Sequence, residues 1–215
     1  MTTLPREPRH VAYRVARHHI AGMALSAPDV PRMKVAGCPQ WTVKGLVGHV
    51  AGHALDRIGE TVGDDESLDG VLERWEQVSS STVEPMIARG PEGYELLLMD
   101  TFTHEVDLHA TLGTVPQSDH PGYPWALDVL LGGLSWSLDS RGLPAVRLGD
   151  GSVSWVAGSG KPAAVVQASR YDLYRTLSGR RTPEQIAELD WSEDPGRWLP
   201  AFYWGPFSRP SLPGA

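Results

Sequence analysis

Asp100-Thr101-Phe102-Thr103-His104-Glu105-Val106-Asp107-Leu108-His109 carries two carboxylate–imidazole pairs, Asp100/His104 and Glu105/His109, each four residues apart. Four residues is the interval that stacks side chains on one face of a helix, one turn above the other. A carboxylate and an imidazole on successive turns can grip one metal ion. A third ligand must then come from another helix, and Trp41-Thr42-Val43-Lys44-Gly45-Leu46-Val47-Gly48-His49 offers His49. The expectation is a metal site inside a helical bundle, with the metal carrying the chemistry.

Outward from that stretch, apolar periodicity and glycine or proline breaks divide the chain into helices. Pro8 to Ala27 reads as one, with Val11, Val15, Ile20 and Met23 set among arginines, and Pro28 and Pro31 end it. His10, His18 and His19 lie in it. Adjacent residues point about 100° apart on a helix, so His18 and His19 cannot both serve one internal site, and solvent-facing or packing roles are expected for all three. Val35 to Gln40 reads as a loop. Thr42 is a good N-cap for a helix over Val43 to Val62. There Leu46, His49, Val50 and His53 fall at i, i+3, i+4 and i+7, which sets both histidines on the apolar stripe.

Gly63-Asp64-Asp65-Glu66-Ser67 is an acidic turn into a helix over Leu68 to Ala88, with Val71, Leu72, Trp75, Val78 and Val83 facing inward. Arg89-Gly90-Pro91-Glu92-Gly93 breaks the chain before the helix over Tyr94 to Leu112, and a further helix spans Trp125 to Ser140. Beyond Arg141 to Pro144 the texture becomes β-leaning: Val146 to Leu148, Ser152 to Val156 and Ala163 to Ala168, separated by glycine turns. Tyr171 to Leu177 reads as a short helix closed by Gly179, and Thr182-Pro183 opens another. The expected fold class is α+β: an up-and-down helical bundle over 1–142, then a small α+β domain over 143–215. Gly158-Ser159-Gly160-Lys161 lacks the full phosphate-loop spacing, and no helix follows it, so a hairpin turn is expected there.

The bulk numbers agree with a soluble chain. Its 215 residues suffice for one large domain or two smaller ones, and 41% hydrophobic with 21% charged residues is ordinary for a globular protein. Nothing approaches the roughly 20 uninterrupted apolar residues of a membrane helix. The N-terminal residues lack the apolar core of a secretory signal. A net charge of −7 argues against a nucleic-acid-coating surface. The single cysteine, Cys38, excludes an internal disulfide and a thiolate cluster, and a structural role is expected for it. The expected setting is the cytoplasm, with no membrane or nucleic-acid partner.

Spacing alone does not choose between Asp100/His104 and Glu105/His109. One helix face carries Asp100, His104, Asp107 and Thr111 with Leu96 and Leu97; the other carries Glu105 and His109 with Leu98 and Phe102. Both faces are partly apolar. The bland alternative for either pair is a surface ion pair worth about 0.3–0.5 kcal/mol.

Cys38-Pro39-Gln40-Trp41-Thr42-Val43, followed by Leu46-Val47-Gly48-His49-Val50-Ala51-Gly52, resembles the opening motif of the mycothiol-dependent maleylpyruvate isomerase family. Asp100-x-x-x-His104-x-x-Asp107-Leu108 is similar to that family's second motif, and Gly179-Arg180-Arg181 to its closing element. The resemblance spans nearly the whole chain. It implies a DinB-like bundle with a small α+β domain after it, and a divalent metal, most often zinc, held by His49, Asp100 and His104. Asp-Leu at 107–108 sets this register. Many relatives carry Glu where this chain has Asp100, one methylene longer. His53 is an addition to the pattern: a fourth ligand, a group that positions a ligand, or a catalytic proton carrier.

Two imidazoles and a carboxylate with an open position form a catalytic rather than a structural zinc set. The resemblance further implies a low-molecular-weight thiol as cosubstrate, which attacks an electrophilic small molecule. The thiol then leaves, in an isomerase, or stays, in an S-transferase. Arg180 or Arg181 is placed in the catalytic role of binding a substrate carboxylate in bidentate fashion, Arg180 first. Two other readings stand beside this one: a non-catalytic small-molecule or metal-binding bundle with a filled coordination sphere, and a metal-assisted hydrolase.

Overall fold

A computed structural model describes residues 6–63, 65–90 and 94–207. Asp64 of the acidic turn and Pro91, Glu92 and Gly93 of the break lie outside the described residues. The chain is α+β with a helical N-terminal region, and it divides into two compact units, one over Arg6–Ala126 and one from Leu127 onward.

In the first unit, α1 (Arg9–Ala24) is followed by a short β1 (Lys34–Val35) and β2 (Cys38–Thr42), then α2 (Val43–Leu55), α3 (Leu68–Val78), α4 (Glu84–Arg89), α5 (Glu95–Thr111) and the start of α6 (Gly122–Ser140). Helix α5 is the centre of this unit. Every residue from Thr101 to Leu108 is buried, because α1 packs on one side of the helix and α2 on another. Alanines at 12, 16 and 24 give α1 a fully buried flank with little side-chain bulk. Across it, Trp75 Nε1 donates to the Tyr13 hydroxyl (3.0 Å), which pairs with Ser79 Oγ (2.9 Å). Arg17, also buried, bridges to Glu84 (3.2 Å) and to Glu76.

Three differences from the sequence expectation have local causes. Residues 34–42 form a hairpin rather than a loop, Lys34 pairing with Thr42 and Val35 with Cys38. The expected helix over Leu68 to Ala88 is interrupted by a π-helical turn, Ser79–Val83. Pro85 has no N–H to give to Ser81 and its ring crowds that carbonyl, so the wider turn absorbs the misfit. Helix α2 stops at Leu55 rather than Val62: a 3₁₀ turn over Asp56–Ile58 runs into Gly59, whose φ of +76° suits only glycine without strain.

The second unit holds β3 (Val146–Gly149), β4 (Ser154–Ala157), β5 (Ala164–Gln167), α7 (Arg170–Leu177), α8 (Pro183–Ala187) and β6 (Asp190–Trp191). The sheet order is β4-β3-β5-β6, with β3 antiparallel to β4 and parallel to β5. The turn at Gly158–Gly160 is therefore not a hairpin. It carries the chain from β4 across to the far side of β3. A full capping box opens α8: Thr182 accepts from Gln185 N, and Gln185 returns to Thr182 N. No helix among the described residues is long and apolar enough to cross a membrane.

Asp150 is the joint of this unit. Its carboxylate accepts from the Ser152 and Val153 N–H groups (2.9 and 2.7 Å) and from Arg170 Nε (2.7 Å). Burial works to raise its pKa, but the N–H bonds from Val153 and Ser152 outweigh burial and hold it below the usual carboxylate range. A depressed folded pKa stabilises the fold above the unfolded value, near 3.9, and that contribution is lost as pH falls through the folded one. Asp150→Ala is expected to cost roughly 1.5–3 kcal/mol in denaturant unfolding at pH 7, and the difference from wild type should shrink in acid.

Candidate metal centre

Thr42 accepts from Gly45 N (3.2 Å) and so caps α2, which sets His49 and His53 one turn apart on the side facing α5. From α5, Asp100 and His104 meet them. His49 Nε2 and His53 Nε2 each lie 3.7 Å from Asp100 Oδ2, and His104 Nε2 lies 3.5 Å from Asp100 Oδ1. His49, His53 and Asp100 place ligand atoms within 4.8 Å of one another. The His49 and His104 rings stand perpendicular with centroids 5.1 Å apart, and the Trp41 ring covers both, at 4.4 Å from His49 and 5.7 Å from His104.

These separations are too long for hydrogen bonds, yet the groups converge. Asp100 Oδ2 is buried with no hydrogen-bond partner. Four donors bonded to one ion at about 2.0–2.2 Å stand roughly 3.4 Å from one another in a tetrahedron; each imidazole here stands at a similar distance from an Asp100 oxygen, His49 and His53 at 3.7 Å from Oδ2 and His104 at 3.5 Å from Oδ1. The donor set and its spacing therefore fit a divalent ion. Imidazole and carboxylate suit zinc and its neighbours in the first transition row.

The electrostatics follow from burial and from the carboxylates. Burial lowers the His49 pKa to about 4, against the pull of Asp100, so this imidazole is neutral and keeps a lone pair. His104 is 4% exposed. Burial opposes its charge, but the Asp100 and Asp107 carboxylates beside it prevail and raise its pKa to about 9. Asp107, fully buried, holds His104 Nδ1 at 3.1 Å and accepts from Cys38 Sγ at 3.7 Å. A Cβ on Gly37 would collide with the Asp107 carboxylate, so the turn between β1 and β2 can approach α5 only as glycine. Cys38 is thus a buried neighbour of the carboxylate that orients His104.

The residues expected from sequence thus assemble unequally. His49, His53 and Asp100 form the close group, both Nε2 atoms 3.7 Å from Asp100 Oδ2, and His104 reaches the other Asp100 oxygen at 3.5 Å while its Nδ1 faces Asp107. Arg180 belongs to the other compact unit and donates to the Ser178 carbonyl (2.7 Å); Arg181 pairs with Asp172 (2.8 Å). The opposite face of α5 is as polar as the first. Burial works to raise Glu105, yet the imidazoles of His109, His120 and His19 around its carboxylate bring its pKa down to about 2. Sequence reasoning missed His120, which lies in a loop without periodicity, and set His19 aside as a surface or packing residue.

The fold is similar to two crystal structures of the mycothiol-dependent maleylpyruvate isomerase, one of them a histidine-to-alanine mutant. Each matches with a TM-score of 0.55 over 90% of this chain and 97% of that chain, at 20% identity for the mutant and 19% for the other. At that identity the likeness establishes the fold. No family model matches this chain, and no curated protein matches it in sequence.

Proposed function

We propose that this chain is a metal-dependent enzyme that activates a low-molecular-weight thiol of the mycothiol type, for isomerisation of an electrophilic small molecule or for S-transfer to it. The observation that supports this most is the buried, unpartnered Asp100 Oδ2 with imidazoles from two helices converging on its carboxylate. His49, Asp100 and His104 would hold the ion. A divalent ion there, zinc above all, supplies the positive charge that keeps a bound thiol deprotonated at neutral pH.

The chain's own groups supply the rest. Asp107 fixes the orientation of His104 through Nδ1, and Trp41 shields the two rings from water on one side. His53, the most exposed of the four groups, would pass protons between site and solvent; its exposure supports that role. The likeness to solved mycothiol-dependent isomerases supports the thiol as cosubstrate.

Asp107→Asn keeps the shape of the side chain and removes its charge. It is expected to weaken metal affinity by roughly 10–100-fold, the usual cost of losing a partner that orients a ligand, as read by competition with a chromophoric chelator. A second reading draws on the equal 3.7 Å approaches of His49 and His53 to Asp100: a closed four-ligand site in a binding protein. His53→Ala separates the two. The enzyme reading expects the metal retained and thiol-dependent turnover altered, whereas the closed site expects the metal lost. Turnover without added thiol would instead favour hydrolysis.

A further inference from the structure

Three imidazoles surround Glu105 on the face of α5 opposite Asp100. His19 Nδ1 from α1 lies 2.7 Å from Glu105 Oε1, and His120 Nε2 from the loop before α6 lies 3.2 Å from it. His109 Nε2, one turn along α5, lies at 3.7 Å. Glu105 is fully buried and His120 is 4% exposed. Both Glu105 Oε2 and His120 Nε2 are buried without a hydrogen-bond partner, and His19, Glu105 and His120 bring ligand atoms within 4.8 Å of one another.

The surroundings hold these rings in place. His120 stacks on Phe102, with centroids 4.7 Å apart and planes 12° from parallel. His109 Nδ1 is paired with Thr114 Oγ1 at 2.7 Å, which turns its Nε2 toward Glu105. Half-exposed His19 leaves a way in from solvent.

We propose that His19, Glu105, His109 and His120 form a second divalent-metal site, structural in kind, that ties α1 and the loop before α6 to α5. Three imidazoles and one carboxylate make a full set of four protein donors, the mark of a closed site. Nitrogen-rich donors select zinc, cobalt(II) or nickel(II) over magnesium or calcium. One contact opposes loading. Gly122 N–H donates to His120 Nδ1 (3.0 Å), so the neutral ring carries its proton on Nε2 when no ion is bound. Binding through Nε2 moves that proton to Nδ1 and gives up the Gly122 contact. This site is therefore the weaker of the two and loses its metal first to a chelator.

The test is titration of the metal-free full-length protein with cobalt(II), followed by absorbance and equilibrium dialysis, with zinc as competitor. Wild type is expected to bind two equivalents, and His49→Ala one. His19→Ala, a substitution at a half-exposed position, and Glu105→Gln should each lose one equivalent. Cobalt should raise the Tm of His49→Ala but not of the His19→Ala/His49→Ala double variant. A second equivalent that survives in both His19→Ala and Glu105→Gln overturns the proposal, as does a wild type that binds one equivalent unchanged by either. A single equivalent lost in His19→Ala but kept in His49→Ala upholds this site and counts against the Asp100 centre.

Discussion

His49→Ala is expected to weaken metal binding at the Asp100 centre by more than the roughly 10–100-fold that follows loss of a mere orienting partner, and to abolish thiol-dependent turnover while the bundle stays folded. The fold should survive because His49 is part-exposed and makes no hydrogen bond that holds α2. The ligand set should not. Without His49, α2 contributes only the more exposed His53, and Asp100 Oδ2 loses the donor that burial keeps neutral. Metal content after dialysis, far-ultraviolet circular dichroism and turnover with and without thiol separate these effects. Retention of metal at wild-type affinity would remove His49 from the site.

Trp75→Ala is expected to carry the largest stability cost, about 3–5 kcal/mol in denaturant unfolding. Trp75 is 1% exposed, in the cluster it shares with α1 and α2. The substitution opens a cavity and also takes the indole N–H from the Tyr13 hydroxyl, which is left with Ser79 in a buried setting. Trp75→Phe keeps most of the ring and removes only that N–H. Its expected cost is about 1–3 kcal/mol, that of a buried polar group losing a partner. Equal costs for the two variants would mean that the hydrogen bond rather than the ring volume matters.

Much of the site was legible because helical spacing is a short-range code. Asp100 and His104 are one turn apart in sequence and meet in space, and Thr42 reads as a cap because it is one. Two things were not legible by spacing. The face of α5 that serves the Asp100 centre does not differ in polarity from the face bearing Glu105, since both are buried; family resemblance, not periodicity, selected Asp100/His104. The ring of histidines around Glu105 draws on α1 and on a loop, at sequence separations of 86 and 15 residues from Glu105, and no local pattern reports such a meeting.

The fold shows the same division. Strands β3, β4 and β5 announce themselves by β-leaning runs between glycine turns, but β3 and β5 pair in parallel across the intervening β4 segment, and turn residues do not encode that order. The π turn before α4 was readable in principle: Pro85 sits four residues after Ser81, and a proline inside a helical pattern must cost the helix one hydrogen bond. The hairpin at residues 34–42 was hidden by Gly37-Cys38-Pro39, which reads as loop, although that glycine is what lets the strand turn approach Asp107.

Groups from α2 and α5 are expected to hold one ion between them. A crystal of the protein grown with cobalt(II), measured on both sides of the cobalt absorption edge, tests it directly. An anomalous peak is expected about 2.1 Å from His49 Nε2, Asp100 and His104 Nε2. No peak there, with Asp100 hydrogen-bonded elsewhere, would contradict it.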